Sequence, residues 1–294
     1  MLQRYLDPSI LAGISGLELI AKTVVDGFVS GLHRSPDFGF SQEFAEYRAY
    51  AEGDDLRHVD WNVFARSERM YLKRYRGETN SQLTLVLDAS ASMGFGAGVK
   101  KLDYARYLAA SLFYLANQQR DAAGMLVFAE GIQNYVPPSS RQGQFLRLLH
   151  AIEKATLGTH TDYAQPFLHC QQFLHRRGLI VVISDFYNDP QDVIRAMEPL
   201  RYRGNELILF HLLDPQEIQP SLAEPMLLVD METGEALEST PDYVRTGYKE
   251  KMGAHLAGMR DAAQRAGMDY FLMNTGKPLD EGLREYLTVR KGRN

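Results

Sequence analysis

Residues 83–95 read LTLVLDASASMGF. An apolar run of strand length stops at Asp88, and Ser90 and Ser92 follow at every second position. A continuous run of this kind marks a strand buried on both faces, as the strands of parallel sheets are. Ligands of open parallel sheets sit beyond the carboxyl ends of the strands, and Asp88 is placed there. Ala89 and Ala91 are small enough to let the backbone curl between the two hydroxyls.

The pattern returns once. Gly178 opens LIVVISD, a second buried run ending in an acid, Asp185. Around these two strands the chain alternates. KLDYARYLAASLFYLANQQ (101–119) carries a helical stripe of Leu102, Ala105, Leu108, Ala109, Leu112 and Leu115. DAAGMLVFA and GIQNYVPP read as strands, and GQFLRLLHAIEKA, DYAQPFLHCQQFLHRR and PQDVIRAMEPLRYRG as helices. NELILFHLLD and MDYFLMN complete the strands. Strands alternating with helices predict an α/β domain with a doubly wound, mostly parallel sheet. MLLVDMETGEAL departs from this rhythm, and two short apolar pieces around a Glu-Thr-Gly turn predict a hairpin insertion near 226–238. A helix is expected from about Asp242 to Ala266, and a short C-terminal helix and tail over 276–294.

Upstream, residues 1–80 form an N-terminal extension. Ile14, Leu17, Ile20, Ala21, Val24 and Val25 mark one face of an amphipathic helix. Glu18, Lys22 and Asp26 interrupt its apolar positions, which argues against a signal peptide. The segment from about 36 to 80 is polar, aromatic and rich in arginine.

Composition bounds the function. The chain has 294 residues, 45% hydrophobic and 23% charged, enough for a sizeable core. A net charge of −5 and a pI near 5.9 disfavour bulk binding to nucleic acid or anionic membrane. Cys170 is the only cysteine, which excludes an internal disulfide and a CxxC metal site and fits a reducing compartment. No segment approaches the ~18 apolar residues of a membrane span, and the expected location is the cytoplasm.

The groups that gather at the sheet edge share one chemistry. GTHTD (158–162) precedes a helix and offers Thr159, Thr161 and Asp162 beside Asp88, Ser90, Ser92 and Asp185. All are hard oxygen donors, suited to Mg²⁺ or Mn²⁺ and not to zinc. Taken singly, each serine reads equally as a turn residue or helix cap, and each acid as a hydrogen-bonded loop acid; the ordered combination is the specific signal.

DASAS, Thr161 and ISD together resemble the metal-ion-dependent adhesion site of von Willebrand factor A domains. The resemblance covers about Gln82 to Asn274 and implies a Rossmann-like domain over 81–275. It also implies that Asp88, Ser90, Ser92, Thr161 and Asp185 hold one Mg²⁺ (or Mn²⁺). Thr161 is preferred to Thr159 because the family's threonine lies just before the helix. In that family a partner's Asp or Glu completes the ion's shell.

EFAEYRAYAEGDDLRHVDWNVFARSERMYLKRYRGE (43–78) is similar to the segment that precedes the A-type domain in domain of unknown function family 58. The matching positions are Glu43, Tyr47, Arg48, Gly53, Asp54, Asp55, Arg57, Asp60, Trp61, Ala65 and Arg66. The family is commonly encoded beside MoxR-type AAA+ ATPases, which implies an accessory protein whose partner is such an ATPase or its client. Read from the residues alone, Asp54, Asp55, Asp60 and Glu68 can pair with Arg57, Arg66, Arg69 and Arg74 in a bracing polar network, or the segment can bind a partner. RMYLKRYR interleaves basic and aromatic residues as nucleic-acid binders do, but the acids nearby oppose that use.

Catalysis finds little support. Walker, G-x-S-x-G and H-E-x-x-H motifs are absent. Ser90 stands where an aspartyl-phosphate enzyme would carry its second acid. Cys170 and His169 are helical neighbours that do not face each other. A hydrolase would need a base near a metal-bound water, and His160 is the one histidine so placed. The expected function is therefore a non-enzymatic, metal-dependent protein-interaction module. The alternatives are a hydrolase using Asp88, Asp185 and His160, or a nucleic-acid-associated protein.

Overall fold

The structure is a computed structural model, and it describes residues 7–13, 15–32, 44–49, 61–67, 69–75, 82–174, 177–221, 224–279 and 283. The chain divides into two compact units. One comprises Met1–Phe28 and Ser81–Asn294, the other Val29–Asn80. The 1–80 extension is thus split, its first 28 residues belonging to the larger unit.

The larger unit begins with α1 (Pro8–Leu11), capped by Asp7, and α2 (Leu17–Leu32). Leu17, Ile20, Ala21, Val24 and Val25 of α2 are buried, the face its periodicity marks. In the smaller unit, β1 (Phe44–Ala49) pairs antiparallel with β2 (Tyr71–Tyr75), and α3 (Trp61–Ser67) lies between them in sequence. The proposed charge network falls on Asp54, Asp55, Arg57, Asp60 and Glu68, outside the described residues. So does nearly all of the expected C-terminal helix.

The remaining elements are β3 (Gln82–Asp88), α4 (Lys101–Gln118), β4 (Ala122–Phe128), β5 (Ile132–Ser139), α5 (Gln144–Lys154), α6 (Ala164–Phe173), β6 (Leu179–Ser184), α7 (Pro190–Tyr202), β7 (Glu206–Leu213) and α8 (Pro215–Ile218). The hairpin β8 (Met226–Val229) and β9 (Ala236–Ser239) follows. Then α9 (Pro241–Tyr243) runs through a π-turn into α10 (Lys249–Arg265), and β10 (Asp269–Asn274) ends the sheet.

The sheet order is β10-β7-β6-β3-β4-β5, with every pair parallel except the edge pair β4–β5. Pro137 and Pro138 lie on that edge strand, where a missing N–H costs no inner ladder bond. Gly124 of β4 faces them: a Cβ there would stand 2.6 Å from the Pro138 nitrogen.

The alternation of buried residues serves two layers. Val86, Ile180, Val182, Leu207 and Leu209 share one core with Phe167 and Cys170 of α6, Val193 and Met197 of α7, and Met259 of α10. The residues between them, such as Leu85, Val181, Ile183 and Phe210, are equally buried on the face toward α4. Strand order reverses at the centre: β3 leads through α4 to β4 on one side, and β6 leads through α7 to β7 on the other. The loops after β3 and β6 therefore diverge, and the crevice of a doubly wound fold opens between them.

Phe128, wholly buried, contacts Tyr163 and Phe167 edge to face. Phe128→Ala should cost about 3–5 kcal/mol in urea unfolding. Leu227→Ser, on the exposed strand β8, should stay within about 0.5 kcal/mol of the parent; similar losses from both would place the core elsewhere.

Candidate functional site

The crevice is lined by the residues that the two strand-ending motifs mark. Asp88 closes β3 and Asp185 follows β6, its neighbour, so both carboxylates reach the same edge and both are almost wholly buried. Asp88 Oδ1 accepts the Ser90 N–H at 2.8 Å, which bends the chain into a 3₁₀ turn over Ala91–Gly94. That turn brings Ser90 Oγ and Ser92 Oγ to 3.0 Å from each other. Asp88 Oδ2 accepts from Ser184 Oγ at 2.6 Å and, at 3.5 Å, from the Tyr163 phenol, which itself lies 2.6 Å from Ser184 Oγ.

The loop that carries Thr161 is tied to the same strands. The Gly158 N–H donates to Ala89 O at 2.7 Å, and the Asp162 N–H to Ala129 O at 3.2 Å. A Cβ on Gly158 would lie 2.5 Å from Ala129 Cβ, so the approach needs glycine. Thr161 does not spend its hydroxyl on Asp88. It donates to Glu232 Oε1 at 2.8 Å, and the Thr161 N–H donates to Glu232 Oε2 at 3.0 Å. Asp162 accepts the Ala164 N–H at the start of α6. Thr159 pairs with its neighbour His160, Oγ1 to Nδ1 3.1 Å, and both are exposed.

Asp185 has a partner that no motif announces. Lys101, at the first turn of α4, is fully buried, with Nζ 2.7 Å from Asp185 and 2.5 Å from Glu217 of α8. Its ammonium also lies over the Tyr187 ring, 4.8 Å from the centroid. Burial works to strip its proton, but the two carboxylates outweigh that and hold its pKa above the ordinary lysine value. Glu217 is pushed up by burial, against the pull of Lys101. Phe186, next after Asp185, adopts a φ of 44°, a strained conformation for a bulky residue. Its N–H donates to Ser184 Oγ at 3.1 Å.

Asp88 is the electrostatic oddity. Burial, then repulsion from Asp185, raises its carboxyl to about 7, despite the hydrogen bonds from Ser184 and Ser90. Lys101 already balances Asp185, so the carboxyl that an added cation would help to ionise is that of Asp88. The oxygen geometry agrees: neighbouring vertices of an octahedron with bonds of ~2.1 Å are about 3.0 Å apart, the spacing of the two serine hydroxyls. Among the described residues no group of three or more His, Cys, Asp or Glu side chains converges, so the edge offers hydroxyls with carboxylates and not a zinc-type ligand set. The donor set fits a hard divalent ion.

Sequence reasoning missed Ser184, Tyr163, Lys101, Glu217 and Glu232. One signal was present for Lys101. Lys100 and Lys101 open a helix where the macrodipole favours acids, and a cation there requires a compensating carboxylate.

A doubly wound sheet with a D-x-S-x-S loop at its switch point defines a von Willebrand factor A-like domain. The chain belongs to the family described as protein of unknown function DUF58, whose model matches residues 46–258, from β1 into α10. It is 30% identical over 278 residues to an uncharacterized protein of Mycobacterium tuberculosis, covering 92% of this chain and 86% of that one. A counterpart in Mycobacterium bovis matches equally. Similar solved structures include the conserved hypothetical protein BatB of Bacteroides thetaiotaomicron, with a TM-score of 0.47 and 16% identity over 71% of this chain and 99% of that one. The SpRpn10 VWA domain has a TM-score of 0.45 and 13% identity over 70% and 94%.

Lys101→Met should cost about 3–5 kcal/mol at neutral pH, because it strands two buried carboxylates; a neutral effect would contradict the triad. Between the ordinary aspartate pKa of about 3.9 and about 7, folded Asp88 keeps a proton that the unfolded chain has lost. Its contribution therefore makes stability fall as pH rises through that window. Urea unfolding at pH 4.5, 6 and 7.5 should show Asp88→Asn flattening this part of the slope.

Proposed function

We propose that the chain is a non-enzymatic, divalent-cation-dependent protein-interaction module, an adaptor for a MoxR-type AAA+ ATPase in protein maturation or remodelling. The observation that carries the reading is the pair of serine hydroxyls, 3.0 Å apart, beside two buried carboxylates at the sheet's switch point. Asp88, Ser90, Ser92, Thr161 and Asp185 are the residues that would hold Mg²⁺ or Mn²⁺. The ion, when bound, supplies a positive centre that a partner's Asp or Glu can engage.

The chain's own residues set the stage. Ser184 and Tyr163 orient Asp88, Lys101 holds Asp185 in place, and the Ser90–Ser92 turn fixes the hydroxyls. Asp88, Ser90 and Asp185 are buried, while Ser92 and Thr161 are partly exposed, so access is from their side. The non-catalytic reading is supported by His160, which is exposed and turned to Thr159. The ATPase partner is supported by membership of the family and by the resemblance of EYRAYAEGDDLRHVDWNVFAR to its upstream segment. No helix among the described residues is long and apolar enough to cross a membrane, and the reading places the module in the cytoplasm.

Two measurements test this. Calorimetric titration with Mg²⁺ should show binding that Asp88→Ala abolishes. Its affinity should rise with pH up to about 7, where the ion no longer competes with the Asp88 proton; retained binding in Asp88→Ala would place the ion elsewhere. Affinity for the candidate ATPase should fall in EDTA, and in Ser90→Ala/Ser92→Ala by about 2–4 kcal/mol. Equal affinity in Mg²⁺ and EDTA would refute the bridged contact.

A further inference from the structure

The hairpin β8–β9 places an acid at the edge where the proposed partner's acid would arrive. Glu232, at its tip, grips Thr161 with both carboxylate oxygens, at 2.8 Å from Oγ1 and 3.0 Å from the backbone nitrogen. The tip is prearranged for this. The Asp230 side chain accepts the N–H of Glu232 at 2.7 Å and of Thr233 at 2.8 Å, Asp230 N–H donates to Glu235 O, and Gly234 takes a φ of 73° to close the turn. Met231, one residue before, lies against the D-x-S-x-S loop: its Cε is 3.5 Å from where a Cβ on Gly94 would sit. The carboxylate of Glu232 is felt by Tyr163, the residue that hydrogen-bonds Asp88. So the tip touches both exposed members' loops, the one that carries Ser92 and the one that carries Thr161.

The charge at this place is the unusual part. Glu232 spends both oxygens on Thr161, a residue that the proposed function makes a ligand of the ion. No lysine, arginine or histidine among the described residues forms an ion pair with Glu232. A carboxylate that has no such partner and is bound to a proposed ligand of a divalent ion gains a favourable charge contact once the ion is present. Resting on the metal-dependent reading above, we infer that Glu232 is an internal acidic ligand: it faces the ion in the resting protein and must be displaced by the partner's carboxylate. β8 is exposed along its length, with Met226, Leu227 and Val229 more than half exposed. A hairpin with so little buried surface can lift at small cost, which suits a competitor that must yield.

The probe is Mn²⁺ alone, titrated into the full chain by calorimetry, with water-proton relaxation reporting how many waters remain on the bound ion. Glu232→Gln should weaken Mn²⁺ binding about tenfold or more and raise the relaxivity of the bound ion, as water replaces the carboxylate. Glu235→Gln, on the same hairpin, controls for general charge and should change neither. Circular dichroism and thermal melts of each variant confirm the fold. Unchanged affinity and relaxivity in Glu232→Gln, with Asp88→Ala still abolishing binding, would overturn the internal ligand and leave the metal site standing. Failure of the parent protein to bind Mn²⁺ at all would overturn both.

Discussion

Two carboxylates buried side by side where β3 and β6 part are the constraint on which the surrounding structure depends. Burial, with repulsion from Asp185, makes Asp88 resist ionising. The fold answers with three kinds of compensation. Ser184 and Tyr163 donate to Asp88, the backbone of the Ser90 turn donates to it as well, and Lys101 is buried whole against Asp185 and Glu217. The first and third of these also fix neighbouring elements: α6 through Tyr163, and α4 and α8 through Lys101 and Glu217. The site and the packing of its neighbours are thus one electrostatic arrangement. Such arrangements are costly in stability terms and contribute geometric precision.

That arrangement explains why some of the protein was legible from sequence and some was not. Strands that are buried on both faces write themselves as unbroken runs, so QLTLVLD, AAGMLVF, LIVVIS and ELILFHLL identify themselves. Their carboxyl ends are fixed once the strands are, which is why the sequence alone sets Asp88 and Asp185 on one edge. The hairpin, too, was readable, because short apolar pieces around a Gly-containing turn have few other uses. What stayed hidden was every contact made across the fold by a residue with no local pattern. Lys101 lies 84 residues from Asp185 and 116 from Glu217, and Thr161 lies 71 from Glu232. Periodicity carries no trace of such pairs. Only the misplaced pair of lysines at the start of α4 hinted that a long-range carboxylate was required.

The same edge gives the hairpin a meaning that its sequence could not. Read alone, MLLVDMETGEAL is an insertion between a strand and a helix. In the fold, its tip delivers Glu232 to Thr161, beside the loop of Ser90 and Ser92. On the proposed function, an edge that takes a partner's acid while bearing an acid of its own on a lightly anchored arm would couple partner binding to movement of the arm. The upstream segment within Val29–Asn80 forms a compact unit of its own, and the family match includes it from residue 46.

The proposed function turns on a divalent ion between the serine hydroxyls and the paired carboxylates. Anomalous diffraction from crystals grown with Mn²⁺, collected on both sides of the manganese absorption edge, tests it most directly. A single peak is expected within coordination distance of Ser90 Oγ and Ser92 Oγ, with Glu232 turned toward it. A peak at another surface, with Asp185 still paired to Lys101 and none at the serines under saturating Mn²⁺, would contradict it.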